Sequence, residues 1–537
     1  MVELGQNTTG GDAPLADVCL LLEGTYPYVQ GGVSAWVHQI INAMPEIKFA
    51  IFFIGSQRST TPKQFYPFPD NVVAFEEVYI FESLPQEEKL RRKIPKFVAN
   101  ELYRLLGEIY FGETSSDRVV AFWEILDFID KSGTDLTFAN LCQDFECWEL
   151  LKRGYRVGAD GDSFIDFFWS VRFMHMPIWT LLKSRHKVPL AKVYHSVSTG
   201  YAGVIGAFAA RVRSAPYFIT EHGIYTKERV AEISQATWIH ESETYYFDPQ
   251  KGLSVLKRLW INLFTFLGHI TYVEAERIIA LYEGNTRLQV EYGAPAERLE
   301  IIPNGIVPTK YDQTRQIRMR RRLEQEDDRV VVGFMGRVVP IKDVKTLIRS
   351  AYHVFRHCPN AHFLLAGPTE EDEDYFASCQ ELVAQFGIGH RFEFIGRQKP
   401  PEFLATIDIM LLTSISEGLP LVILEAYSAS IPVVSTDVGA CRELIEGRTQ
   451  ADRELGRAGM VTRIYSPEDT ADCLVQMIKS PEMVDEMGEV GRERVERYYI
   501  ESDIIDQYRR IYDDTSWSRF SPDRSKPLAE RVKVKEH

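Results

Sequence analysis

The chain has 537 residues, more than one hydrophobic core usually serves, so two or more domains are expected. Apolar residues make up 45% and charged residues 26%, the balance of a globular protein in water. The net charge of −15 speaks against a surface tuned to nucleic acid or anionic lipid, though not against a local basic pocket.

The N-terminus, MVELGQNTTGGDAPLAD, has no basic start and no apolar signal core, and residues 1–16 read as a disordered tail. Asn7-Thr8-Thr9 is a glycosylation sequon by letter only. DVCLLLEG is a continuous apolar run of the kind that parallel strands buried on both faces carry. EGTYPYVQGGVSAWVH follows, with adjacent Gly31 and Gly32 ringed by Tyr26, Tyr28 and Trp36. Packing rarely asks for two glycines between a strand and a helix, whereas a ligand approaching the backbone does. Val33, Trp36, Val37, Ile40, Ile41 and Met44 share one helical face, which assigns Trp36 to the core and leaves Tyr26 and Tyr28 in the loop. Pro45 stops the helix and KFAIFFIG is a second strand, giving a βαβ unit and hence a parallel sheet.

Residues from about 58 to 188 break this rhythm. They are aromatic-rich and read as a mostly helical insertion. Their most apolar stretch, FFWSVRFMHMPIWTLL, is short for a membrane span and is interrupted by Arg172 and His175, so a buried or partner-facing helix is expected and no transmembrane segment. Seven cysteines are scattered without a C-x-x-C pair. Cys142 and Cys147 lie closest, no histidine pattern completes a zinc site, and reduced cytoplasmic thiols are expected. The alternation then resumes through KVYHSVSTGYAGVIGAFAARV, PYFITEHGIY, RIIALYEGNTRLQVEYG and ERLEIIPNGI.

A polar linker, VPTKYDQTRQIRMRRRLEQEDD, leads to a second alternating unit. RVVVGFMG is its first strand, and Asp343 is placed to cap the helix DVKTLIRSAYHVF. AHFLLAG, FEFIG, IMLLTS, PVVSTD and GMVTRI are further strands, and Ser466-Pro467 with Asp469 marks a helix start. The expected class is α/β: two Rossmann-like, doubly wound domains facing a cleft, over residues 17–308 (with the insertion at about 58–188) and 309–500. A C-terminal helix and tail over 501–537 follow, with a return to the first domain as one option. In such sheets ligands sit at the carboxyl ends of the strands.

Chemistry concentrates in LLTSISEGLPLVILEAYSASIPVVSTDVGACRE, residues 411–443. Glu417 falls in a loop and Glu425 one or two turns into the helix that starts near Pro420. Gly418, Leu419 and Pro420 leave backbone N–H groups free at that helix start, which favours anionic or hydroxyl-rich ligands. Carboxylates accept the donors of sugar hydroxyls. In FMGRVVPIKDVKTL, Arg337 follows a strand and Lys342 precedes a helix, two cations suited to a diphosphate. Each element alone also reads as ordinary loop and helix-end charge. Asp160-Gly161-Asp162 and Asp372-Glu373-Asp374 match the D-x-D of metal-dependent transferases by letter but read as solvated charge runs. His195 ends a strand and reads equally as a structural histidine or an acceptor contact. No G-x-G-x-x-G follows a strand, which weakens a dehydrogenase reading.

Taken in order, Gly31-Gly32, Pro303-Asn304-Gly305, Arg337 with Lys342, and Glu417 to Glu425 resemble the motif set of retaining glycosyltransferase family 4 enzymes of the GT-B fold. EGTYPYVQGGVSAWVHQII and TEHGIYTKER look like the PelF-type glycosyltransferases of Pel exopolysaccharide synthesis, in a match that includes the insertion. The resemblance implies that Arg337 and Lys342 neutralise the donor diphosphate, Glu425 binds the ribose, and Glu417 with the backbone of Gly418 and Leu419 holds the donor sugar. It implies that His222 contacts the sugar near the reacting carbon and that Gly32 lets the backbone approach. Tyr26, Tyr28 and His195 are the candidates for the acceptor side. It further implies a UDP-sugar donor (UDP-glucose or UDP-N-acetylgalactosamine), a polysaccharide acceptor, no cofactor and no metal. Inner-membrane Pel proteins would be the partners, and the cytoplasmic face of that membrane the location. A nucleotide-sugar-binding scaffold of a membrane synthase, a GT-B epimerase and a phosphorylase are the alternatives.

Overall fold

A computed structural model describes residues 16–59, 63–82, 95–132, 138, 142, 144–159, 163–239, 253–324 and 328–513. Two compact units emerge. One contains the described residues up to Ile279, Arg287–Glu300 and the end of the last helix from Arg509; the other contains Ala280–Thr286 and Ile301–Tyr508. The expected N-terminal tail, the sequon, Asp160-Gly161-Asp162 and the C-terminal tail beyond Asp513 lie outside the described residues.

The first unit is built on a seven-stranded sheet. Its strands are β1 (Ala16–Glu23), β2 (Phe49–Gly55), β3 (Val72–Tyr79), β4 (Ala191–Ser196), β5 (Tyr217–Glu221), β6 (Arg277–Ala280) and β7 (Leu299–Ile301), ordered β3-β2-β1-β4-β5-β6-β7. β1 pairs in parallel with β2 and with β4, and β2 is buried along its whole length, as its unbroken FAIFFIG run requires. The helix Gly32–Ala43 buries Trp36, Val37, Ile40 and Ile41, the spacing of one apolar face.

The insertion begins later than its sequence suggests. β3 lies inside the 58–188 stretch yet extends the sheet as an edge strand, parallel to β2. Its VVAFEEVY leaves the middle of the strand half-exposed, so it lacks the buried-strand signature that identified β1 and β2. The helical part comprises Lys96–Phe111, Ser115–Ser132, Phe145–Gly158 and Phe164–Ser184. It packs into the first unit's core through Leu102, Phe122, Trp123 and Leu181, among others. Among the described residues no helix is long and apolar enough to cross a membrane.

The second unit holds β8 (Val330–Met335), β9 (Ala361–Ala366), β10 (Phe392–Gly396), β11 (Ile409–Leu412), β12 (Val433–Thr436) and β13 (Gly459–Thr462), ordered β10-β9-β8-β11-β12-β13. Chain order reverses between β8 and β11, as it does between β1 and β4 in the first unit. These are the switch points where strand-end loops part and leave a crevice. The helix Val344–Phe355 is capped as expected, with Asp343 accepting from Thr346 N at 3.2 Å.

The last helix, Glu501–Asp513, belongs to both units. Its final turn lies on the first unit: Arg509 Nε donates to Glu46 at 2.7 Å and the Tyr512 hydroxyl is 2.7 Å from His195 Nδ1.

Candidate functional site

In the second unit the loops after β8 and β11 carry most of the residues singled out from sequence. Arg337 is the second residue after β8. Its side chain is half-exposed and pairs with Glu371 in the loop after β9. An exposed pair of this kind is held weakly, so an incoming phosphate can take Arg337 at little cost. Lys342 ends the short turn Pro340–Lys342, and its Nζ donates to Glu417 Oε1 at 2.5 Å. Ser414 Oγ donates to the same oxygen at 2.6 Å. Glu417 is mostly buried, its side chain 11% exposed, so this lysine–carboxylate–hydroxyl cluster is fixed before any ligand arrives. Thr413 Oγ1 donates to the carbonyls of Lys342 and Asp343 at 3.0 Å each, locking the β11 loop to the β8 loop.

The helix Leu421–Ser428 starts from Pro420 with no side chain capping it. Its first N–H groups therefore face the β11 loop without the usual Ser, Thr or Asp acceptor. Glu425 lies on its second turn. The Tyr311 hydroxyl donates to Glu425 Oε1 at 2.9 Å. Burial raises the Glu425 carboxyl above the ordinary range, and the Tyr311 bond works against that rise. Gly439, after β12, has φ of 55°, and a Cβ there would overlap the carbonyl oxygens of Glu417 and Gly418. Only glycine lets that loop seat so closely.

In the first unit Gly31 and Gly32 are exposed at the start of the helix Gly32–Ala43. A Cβ at either would meet nothing within 4 Å, and neither lies in the left-handed region, Gly31 being extended with φ of 173°. Neither local backbone nor neighbouring atoms demand glycine at these two positions. His222 directly follows β5. Its ring meets the edge of Trp36 with centroids 4.8 Å apart, and its buried Nε2 has no hydrogen-bond partner among the described residues. Burial pushes its pKa down to about 4, so the imidazole is neutral at neutral pH. The preceding Glu221 is fully buried and accepts from Thr199 (3.1 Å), Tyr272 (2.5 Å) and Gln289 (2.9 Å), which anchors the end of β5.

Two of the three acceptor-side candidates change standing. Tyr26 has no exposed surface: its hydroxyl is 3.3 Å from His38 Nδ1 and its ring packs against Tyr66 and Phe68. It is a core residue, because the loop folds back over it. His195 is also fully buried, with both ring nitrogens bonded, Nδ1 to Tyr512 and Nε2 to Thr220 at 2.8 Å, so it is structural. Tyr28 keeps partial exposure but donates to Glu77 at 3.0 Å. Trp36 is in the core, as its helical face implies. Asp372 caps the helix Glu373–Phe386, accepting from Tyr375 N at 2.9 Å, which explains that D-x-D without a metal ion. No cluster of three metal-capable side chains occurs among the described residues.

Ser414, Tyr311, Glu221 and Gly439 were missed from sequence. Ser414 stands three residues before Glu417 and could have been noticed. Tyr311 is 114 residues from its partner, and nothing local signals the pairing.

Two parallel, doubly wound sheets with ligand-type loops at their switch points define a GT-B protein. Solved structures agree. Anabaena Alr3699/HepE in complex with UDP and glucose aligns with a TM-score of 0.53 at 15% identity, over 93% of this chain and 100% of that one. Sucrose-phosphate synthase from Thermosynechococcus elongatus aligns with a TM-score of 0.55 at 14% identity, over 93% and 99%. The chain belongs to the family described as Domain of unknown function (DUF3492), which matches residues 16–297, more than half of its length. Residues 315–494 match the family Glycosyl transferases group 1. D-inositol 3-phosphate glycosyltransferase of Nocardia farcinica is 30% identical over 223 residues, 40% of this chain and 48% of that protein. N-acetyl-alpha-D-glucosaminyl L-malate synthase of Bacillus anthracis is 26% identical over 221 residues, 41% and 55%. The chain thus spans about half the length of the curated relatives it matches.

Proposed function

We propose that the chain is a retaining, metal-independent glycosyltransferase that moves a hexose or N-acetylhexosamine from a UDP-sugar to a growing polysaccharide. The observation that carries this is the β8/β11 switch point, where Lys342 meets Glu417, the helix Leu421–Ser428 starts uncapped with Glu425 one turn further along, and Arg337 stands on the β8 loop against Glu371. A diphosphate leaving group develops negative charge as the bond from its oxygen to the anomeric carbon breaks. Cations and N–H groups already in place there supply several kcal/mol, roughly the effect of one preorganised donor elsewhere. Lys342 meets the diphosphate from its place against Glu417 Oε1, and the other Glu417 oxygen, Oε2, accepts from the sugar hydroxyls. Glu425, steadied by Tyr311, accepts from the ribose. The acceptor oxygen bonds to the anomeric carbon on the face the diphosphate leaves, and its proton passes to the departing phosphate oxygen. No protein nucleophile is needed.

His222 is assigned to the reacting sugar, on the strength of its unpartnered Nε2 and its neutral ring. Gly32 is assigned to close backbone approach. Tyr28 remains the acceptor-side candidate. UDP as the nucleotide is supported by the Anabaena relative's complex, and glucose as one donor sugar by the same source. The Pel exopolysaccharide, an N-acetylgalactosamine donor and inner-membrane Pel partners rest on the resemblance of EGTYPYVQGGVSAWVHQII and TEHGIYTKER to PelF-type enzymes. The test is calorimetry with UDP and turnover with UDP-sugars. Arg337→Ala and Glu425→Ala should each weaken UDP binding by tenfold or more, while EDTA leaves turnover intact. Unchanged affinity in both variants would sink the site. A sugar isomer formed without acceptor would indicate an epimerase, and UDP binding with no transfer to any acceptor a scaffold.

A further inference from the structure

The four described helices of the first unit's insertion line a cavity of about 500 Å³ that the proposed transfer chemistry does not use. That volume lies within the roughly 300–1,000 Å³ range of small-molecule sites. Its wall is almost wholly apolar. Leu106, Ile125, Leu151, Phe168, Ile178 and Phe266 are among its lining residues, contributed by all four insertion helices and by Val255–Glu274. Protein interiors close voids far smaller than this, and an apolar wall offers water too few partners to hold it in order. The wall therefore fits an apolar occupant.

Its charges point to the chemistry of that occupant. Among the described lining residues there is no aspartate or glutamate, in a chain whose net charge is −15. The cations are Arg118 and Arg172. Arg118 spends Nε on the Gly112 carbonyl at 3.0 Å, and Arg172 lies over the Trp169 ring at 5.8 Å. Burial lowers the His175 pKa, and its ring bonds to Tyr110 and, at 2.6 Å, to the Val171 carbonyl. Tyr110 and His175 thus satisfy each other, and Arg118 and Arg172 bring positive charge to the wall. Beside the cavity, Trp169 and Phe173 are about half-exposed, and Phe145 is 68% exposed. Such aromatics suit a boundary between water and an apolar phase.

We infer that this cavity binds a single-chain anionic amphiphile: an aliphatic chain among Leu106, Leu151 and Phe266, with a carboxylate or phosphate head at Arg118 and Arg172. The chain reaches it either free in solution or drawn from a lipid leaflet, and the head and tail chemistry is the same in both.

The test uses the full chain and the fluorescent fatty acid cis-parinaric acid, with phosphatidylglycerol vesicles as a second arm. Leu151→Trp fills the cavity and Arg172→Ala removes one cation. The wild type should bind parinarate saturably, at least tenfold tighter than Leu151→Trp. Arg172→Ala should weaken parinarate but not uncharged dodecanol. The UDP-induced rise in melting temperature serves as the folding control in both variants. Lipid recovered from vesicles by the wild type but not by Leu151→Trp assigns the leaflet source. Absence of saturable parinarate binding or equal affinity in a folded Leu151→Trp overturns the proposal, and either result together with vesicle flotation unchanged by that substitution leaves only an aromatic surface that touches bilayers.

Discussion

Gly439 closes on Glu417: its left-handed backbone, with φ of 55°, lets it sit where any side chain would strike the Glu417 and Gly418 carbonyls, while Ala440 N donates to Gly418 O at 2.9 Å. The Glu417 loop is thus set by a residue 22 positions later.

Gly439→Ala should therefore act on binding through position. The left-handed backbone alone costs about 1–2 kcal/mol for a residue with a Cβ, and the overlap must push the loop away. UDP-sugar affinity should fall at least tenfold while far-UV dichroism stays native. Gly387→Ala is the control, since Gly387 has φ of 65° but open space around it; it should lower the melting temperature without changing affinity.

Lys342→Ala and Arg337→Ala should differ in how salt masks them. A charge-assisted hydrogen bond of this kind contributes about 1.5–3 kcal/mol, so each variant should lose tenfold or more in UDP affinity at low salt. Arg337 is half-exposed and Lys342 mostly buried against Glu417. Titrations in 50 mM and 500 mM NaCl should show the Arg337 deficit shrinking more. Equal shrinkage would contradict the burial difference.

Tyr311→Phe leaves Glu425 with one donor fewer. Glu425 has its folded pKa raised by burial, so its ionised form is disfavoured in the fold. That cost is absent below the unfolded value of about 4.3 and appears as pH rises through the folded pKa. Removing the Tyr311 donor raises the folded value further. The variant should be about 1–2 kcal/mol less stable at pH 7.5, with the deficit narrowing toward pH 5. Melting curves across that range check it; a constant deficit would mean that the hydroxyl does not act through the carboxylate.

His195 and His222 set an acid limit. Burial holds their pKa values down to about 3 and about 4, and the nearby His222 adds to the lowering at His195. A lowered histidine contributes stability that is full above the unfolded value of about 6.5 and lost as pH falls from there toward the folded value. The wild type should lose melting temperature between pH 6.5 and 4. His195→Gln should start less stable at pH 8 but lose less over that interval, and an unchanged slope would remove His195 from the account.

How much of this the sequence carried depended on whether a signal was local. β1 and β2 announced themselves through unbroken apolar runs, and Asp343 through its place before an amphipathic helix. β3 did not, because an edge strand with Glu76 and Glu77 in it follows no buried pattern. The places of Arg337, Lys342, Glu417 and Glu425 at strand ends and a helix start were legible because those positions have letters of their own; the roles given to them are proposals. Tyr311, Gly439 and the burial of Tyr26 were not, since each depends on a partner brought close only by the completed fold. Tyr26 misled for a specific reason: loop tyrosines read as exposed, and here the loop wraps Tyr26 against Tyr66 and Phe68.

The last helix has a consequence for the order in which the molecule can be made. His195 belongs to a strand near the middle of the first unit, yet Tyr512, which satisfies its Nδ1, is synthesised more than three hundred residues later. Arg509, which ties down Glu46 and the Ala43 carbonyl, is equally late. At the usual pace of roughly 5–20 residues per second, the unit that leaves the ribosome first waits for the whole of the second before its own sheet is sealed. The nascent first unit thus lacks the Tyr512 and Arg509 contacts until the helix Glu501–Asp513 has been made.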